Sequence, residues 1–96
     1  MYKLKSLPSF SLWLASLEDK MVKAAILARL RRIELGLKGD AKIVGHGVTE
    51  LRIHVGAGWR VYYTERHGKI IVLLAGGSKK NSSQRHRKGQ STGINA

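Results

Sequence analysis

The sequence predicts an α+β fold: a short N-terminal strand, a two-helix hairpin, then a three-stranded antiparallel meander with the helices on one face. Three observations predict it. Apolar residues recur at helical spacing from Phe10 to Ile33. They alternate with polar residues from Glu50 to Val55. They run unbroken from Ile70 to Leu74, as in a strand buried on both faces. Ninety-six residues supply one domain with one thin core.

Tyr2, Lys3, Leu4 and Lys5 alternate apolar and polar, which suits a short strand. Pro8 fits the first turn of a helix, where its missing N–H costs nothing, and Ser6 is a candidate cap. Phe10, Trp13, Leu14 and Leu17 then fall on one helical face. Glu18 and Asp19 separate this helix from the next, and Asp19 suits its N-cap. The second helix runs from Lys20 to Leu35, with Val22, Ile26, Leu30 and Ile33 as its stripe and Gly36 as its stop. Such stripes at helical spacing are core rather than a cofactor box.

Residues 36–47 read as an ordered loop with four glycines, carrying Lys38, Asp40, Lys42 and His46. No GxxxxGK[ST] or GxGxxG pattern opens a helix there, so nucleotide binding is excluded. Three strands follow at Val48–Val55, Trp59–Glu65 and Lys69–Ala75, turned by Gly56-Ala57-Gly58 and His67-Gly68. The expected domain spans residues 1–77. Residues 78–96 hold one aliphatic side chain larger than Ala (Ile94) and no aromatic, so a disordered basic tail is expected.

Charge narrows the function. Eighteen Lys and Arg stand against six Asp and Glu, a net +12. Five of the positives follow Gly77, where no acid occurs, which leaves +7 on residues 1–77. Such a field favours nucleic acid or an acidic protein partner. Cysteine is absent, which removes disulfides and thiolate metal sites and fits a reducing cytoplasm. No apolar run is long enough to span a membrane, and no secretory signal is evident. No HExxH or paired-acid metal motif is present, so neither metal nor cofactor is expected.

Three runs carry a family resemblance: Glu50-Leu51-Arg52-Ile53, Gly56-Ala57-Gly58-Trp59-Arg60-Val61-Tyr62-Tyr63, and Leu73-Leu74-Ala75-Gly76-Gly77-Ser78-Lys79. Together they resemble the addiction-module killer proteins, a HigB-like branch of the RelE/ParE toxin superfamily. Phe10 with Trp13-Leu14, and the stretch from Arg29 to Asp40, match that branch's N-terminal half. The resemblance covers residues 1–79. It implies a RelE-like curved antiparallel sheet whose concave face holds the active site. It implies a type II toxin that cuts mRNA on the ribosome without metal and so inhibits translation. It also implies a cognate antitoxin, often of helix-turn-helix type.

The family continues past Lys79 as Lys-x-x-Gln-x-x-Asp-Ile-x-x-Ala, a closing amphipathic helix, and residues 81–90 here do not match. Two readings stay open: a genuine variable basic tail, or a frameshifted remnant. With reasonable codons, dropping one adenine from the run encoding Lys79-Lys80 restores the family's pattern.

Cutting RNA through its own 2′-hydroxyl needs a proton acceptor, positive charge on the phosphate and a donor for the leaving 5′-oxygen. Arg52 and Arg60 sit on neighbouring predicted strands, and their planar forks suit phosphate. Either also suits a surface ion pair with Glu50 or Glu65. By the resemblance, Arg52 takes a basic place on the family's second strand and Arg60 the arginine of its Gly-aromatic-Arg motif. Lys79, by the same resemblance, contacts the scissile phosphate or acts as general acid. Glu50 is a candidate proton acceptor or a holder of Arg52. His54 alternates onto the face of Arg52, and histidine titrates near neutrality. Lys42 and His46 are loop candidates for the RNA backbone. Tyr62 and Tyr63 point to opposite faces, so one packs and the other is free to stack on a base. Two other readings remain: a ParE-like gyrase poison of the same fold, and an inactive relic that still binds antitoxin.

Overall fold

A computed structural model describes residues 1–78 of the chain. Seven elements follow in order: β1 (Lys3–Ser6), α1 (Pro8–Ser16), α2 (Lys20–Glu34), β2 (Ala41–Gly45), β3 (Val48–Ile53), β4 (Trp59–Arg66) and β5 (Ile70–Ser78). The strands form one sheet in the order β1-β5-β4-β3-β2. β2 to β5 make an antiparallel meander, and β1 joins β5 in parallel. This is the expected α+β fold. Ser78, the first residue of the predicted tail, belongs to β5; residues 79–96, and with them the frameshift reading, lie outside the described residues.

The helices form where their apolar stripes meet the sheet. Phe10 of α1 is fully buried, and Trp13, Leu14 and Leu17 pack against the same core. Pro8 opens α1 at its first position, but the cap is Leu7, which offers no side-chain hydrogen bond. Ser6 cannot take that role because it is paired with Leu73 as the last residue of β1. Asp19 caps α2 by accepting from the backbone N–H of Met21 and Val22. Val22, Ile26, Leu30 and Ile33 are all buried. Gly36, at φ +86°, ends α2: its N–H donates to the Ile33 carbonyl while that of Leu37 donates to Arg32, a Schellman closure.

Three differences from the predicted elements exceed a single residue. The loop of residues 36–47 contains a strand, β2, which pairs with β3 as the sheet's edge. Its Ala41-Lys42-Ile43-Val44 run is too short, and too closely flanked by glycine, to show a period. β3 ends at Ile53, not Val55, because Val55 and Gly58 close a tight turn onto the Ile53 and Val55 carbonyls. β5 runs on to Ser78, three residues past the predicted end at Ala75 and through two glycines. Gly76 is needed there: a Cβ would lie 2.2 Å from the Trp13 ring.

Two irregularities bend the sheet. One lies between Ile43 and Gly45 in β2. The other inserts Leu74 into β5, since Tyr62 pairs with Ala75 and Tyr63 with Leu73. The Ser9 hydroxyl of α1 donates to the Leu74 carbonyl at 2.7 Å, so a helix satisfies the acceptor that the bulge frees.

Candidate functional site

Residues paired across antiparallel strands point to the same face. Leu51, Ile53, Val61, Tyr63, Ile71 and Leu73 point into the core beneath the helices. Glu50, Arg52, Arg60 and Tyr62 therefore share the opposite face, where Glu50 pairs with Tyr62 and Arg52 with Arg60. Arg60 in turn pairs with Gly77 of β5, and among the described residues a Cβ on Gly77 would meet nothing within 4 Å, so the space beside Arg60 is open to that extent.

Glu50 is the centre of this group. One oxygen accepts from Arg52 Nε at 3.0 Å. The other accepts from Arg60 Nη1 and from the Tyr62 hydroxyl, both at 3.1 Å. Burial works against ionising this carboxyl, but the hydrogen bonds from Arg52 and Tyr62 and the charge of Arg60 outweigh it and hold its pKa below the ordinary value. A carboxylate so held is a weak proton acceptor. It suits a clamp: two guanidinium groups placed directly opposite each other would repel without it. Of the bridges the sequence allows, both arginines choose Glu50, while Glu65 takes Tyr2 and Lys38.

Arg52 and Arg60 line a cleft of about 220 Å³ with Ile53, His54, Gly58 and Trp59. His54 stands just beyond the end of β3, so strand alternation does not direct it, yet it lines the same cleft as Arg52. Its Nε2 lies 2.5 Å from Asp40 Oδ2, and the imidazole beside Asp40 holds that carboxyl below the usual range. Trp59 also lines the cleft, half-buried and tilted against Trp13 with ring centres 6.3 Å apart.

The backbone of Arg52 is fixed from both sides. Its N–H donates to the Asp40 carbonyl at 2.9 Å. Its own carbonyl accepts from Arg29 Nη1 of α2 at 2.6 Å, while Arg29 Nη2 holds the Lys38 carbonyl at 3.0 Å. Gly39 leaves room for that guanidinium, since a Cβ there would lie 2.7 Å from it. Arg29 and Asp40 are the supports that the sequence alone did not single out. Their signal was faint: an arginine off the apolar stripe of α2, and a glycine beside an aspartate.

The remaining candidates scatter. Lys42 is not in a loop but on edge strand β2, opposite Glu50 and exposed on the same face. His46 occupies the β2–β3 turn at φ +54°, at the far end of β3 from Arg52, and does not join the group. Tyr63 is 1% exposed in the core, where burial pushes its phenol pKa up and no base can reach its ring. Of the two tyrosines, Tyr62 is the one at the site. Lys79 lies outside the described residues; it follows Ser78, which pairs with Trp59 at the cleft.

The profile of a family described as "Phage derived protein Gp49-like (DUF891)" matches residues 12–91. The chain belongs to that family. A Haemophilus influenzae protein of uncharacterised role is 39% identical over 82 residues, covering 85% of this chain and 83% of its own. The fold has solved counterparts. A chain of the Escherichia coli RelBE toxin–antitoxin complex superposes with TM-score 0.70 at 15% identity, over 81% of this Gp49-like chain and 96% of that one. A conserved hypothetical protein of Helicobacter pylori, HP0894, superposes with TM-score 0.52 at 21% identity, over 83% and 97%. The RelE-like fold expected from the sequence is the fold of this chain. Among its described residues no helix is long and apolar enough to cross a membrane.

Proposed function

We propose that this chain is the toxin of a type II toxin–antitoxin pair, of the HigB-like kind, and a metal-independent endoribonuclease that cuts mRNA on the ribosome. One observation carries the proposal: two arginines face each other across β3 and β4, clamped by one ionised carboxylate, on the wall of an open cleft. Each guanidinium keeps N–H groups that Glu50 does not occupy, and these suit a phosphate.

In the proposed reaction the substrate's 2′-oxygen attacks the adjacent phosphorus. The O2′–P bond forms and the P–O5′ bond breaks, leaving a 2′,3′-cyclic phosphate and a 5′-hydroxyl. Arg52 and Arg60 stabilise the charge that gathers on the phosphoryl oxygens. Glu50 holds both forks and fixes their angle. His54, set against Asp40, is the side chain of the cleft best suited to accept the 2′-hydroxyl proton. Lys79 is assigned the donor's role toward the 5′-oxygen. Tyr62 and Lys42 are assigned contacts with the RNA, and mRNA on the ribosome is the substrate. The partner is an antitoxin with an acidic segment, of helix-turn-helix type, and the pair is cytoplasmic. The solved RelBE neighbour is itself a toxin–antitoxin complex.

The test is primer-extension mapping of mRNA ends in a cell-free translation system. It is run with this chain, with a version whose tail is restored to the family's closing helix, and with Arg60→Ala. Ribosome-dependent cuts at defined codon positions, absent in Arg60→Ala with its circular-dichroism melt intact, support the nuclease. Cuts by the restored version alone mark the present tail as a lesion. No cuts from either folded protein remove the nuclease reading and turn attention to gyrase.

A further inference from the structure

The clamped pair occupies one end of the open sheet face, and the other end carries a second set of cations. On β4, Arg60, Tyr62, Thr64 and Arg66 alternate onto this face. Arg66 pairs with Ile70 of β5, and Ile70 and Val72 pair with Lys3 and Lys5 of β1. Lys3, Lys5 and Arg66 therefore gather at the end away from Arg52. A second cleft of about 410 Å³ lies here, lined by Lys5, Arg66 and His67 with Ser6, Leu7, Ile70 and Val72. Among the described residues no acidic side chain lines it. Among the same residues neither Lys5 nor Arg66 forms an ion pair, and both are exposed. His67 is exposed at the corner of a two-residue turn, at φ +57° before Gly68 at +65°.

We propose that the Lys5–Arg66–His67 cleft is a phosphate subsite for single-stranded RNA, separate from the cleft that holds Arg52 and Arg60. The inference rests on the nuclease reading above. Arg66 lies six steps along β4 from Arg60, roughly 20 Å at a strand rise of about 3.3 Å per residue. That span takes about six stacked nucleotides at roughly 3.4 Å each, fewer if the strand is extended. Between the two cationic ends lie Tyr62 and Thr64, so the face alternates charge, aromatic and charge along one line. This is the pattern of a groove that tracks a nucleic-acid backbone. An acidic protein segment would match the charge but gains nothing from the Tyr62 position or from continuity with the arginine forks.

The test is fluorescence-anisotropy binding of 2′-O-methyl RNA, which the proposed reaction cannot cut, to the full chain and to Lys5→Gln/Arg66→Gln. A dinucleotide is long enough for one end only; an octanucleotide covers both. The expected result is unchanged dinucleotide binding and weaker octanucleotide binding. The slope of log K against log salt should fall by about 0.7, the value for one phosphate of a single strand that the protein no longer neutralises. The charge-keeping Lys5→Arg/Arg66→Lys should restore both. An unchanged octanucleotide affinity and slope in a variant that melts normally overturns the subsite. So does a variant that loses binding of an acidic peptide but keeps that of RNA. Cleavage by the wild type with unchanged octanucleotide binding in the variant sinks the subsite alone. Two-ended binding without cleavage by the wild type sinks the nuclease reading alone.

Discussion

The two ends of the open sheet face carry the same kind of charge in opposite circumstances. At one end Arg52 and Arg60 are held by Glu50, whose side chain is 7% exposed, and the Arg52 backbone is tied to Arg29 and Asp40. At the other, Lys5 and Arg66 stand exposed with no carboxylate lining their cleft among the described residues. The first arrangement spends attraction on geometry, since a clamped fork is aimed before any phosphate arrives. The second keeps its full charge for a partner but aims it loosely. A site that must stabilise a transition state needs the former, while one that must only draw in a strand needs the latter.

Stability measurements test this contrast. The largest effect is expected from Gly76→Ala. Its new methyl meets the Trp13 ring, which packs against Trp59 beneath the clamped end, and should cost about 3 kcal/mol in urea unfolding. Glu50→Ala comes next. It leaves two half-exposed guanidinium groups facing each other, and about 2 kcal/mol is expected once exposure is allowed for. At that size the melting temperature drops by roughly 8–16 °C. By contrast Lys5→Gln/Arg66→Gln should move stability by less than about 0.5 kcal/mol. Similar losses at both ends would erase the distinction.

A smaller effect lies in pH. The Glu50 pKa is lower in the folded chain than in the unfolded one, so its contribution is fully present above the ordinary glutamate value of about 4.3. It fades as pH falls through the folded value. Urea midpoints taken from about pH 5 downward should decline more steeply in the wild type than in Glu50→Gln. Parallel declines would mean that the clamp is not ionised in the way described.

Much of this was legible in the sequence. The stripes of α1 and α2 and the alternation of β3 predict which of their side chains are core, and they put Glu50 and Arg52 on the other face. What escaped depends on groups distant in the chain. β2 is too short to show a period and exists because β3 offers it a ladder. The Leu74 bulge shifts the alternation of β5 and is satisfied by Ser9, 65 residues away. His54 reaches the cleft from beyond its strand, and its pairing with Asp40 joins two loops. Alternation separates Tyr62 from Tyr63 without saying which one packs; the register decides it, and Tyr63 falls to the core.

The most direct measurement is the single-turnover rate of cutting ribosome-bound mRNA, compared for the wild type, Arg60→Ala and Lys5→Gln/Arg66→Gln over a range of RNA concentration. If the clamped arginines carry the chemistry, Arg60→Ala loses at least about a hundredfold in the saturated rate, the scale of removing one transition-state donor. The second variant should reach the wild-type rate at a higher RNA concentration. A saturated rate equal to wild type in Arg60→Ala, or an equal fall in both variants, would contradict that role for the arginines.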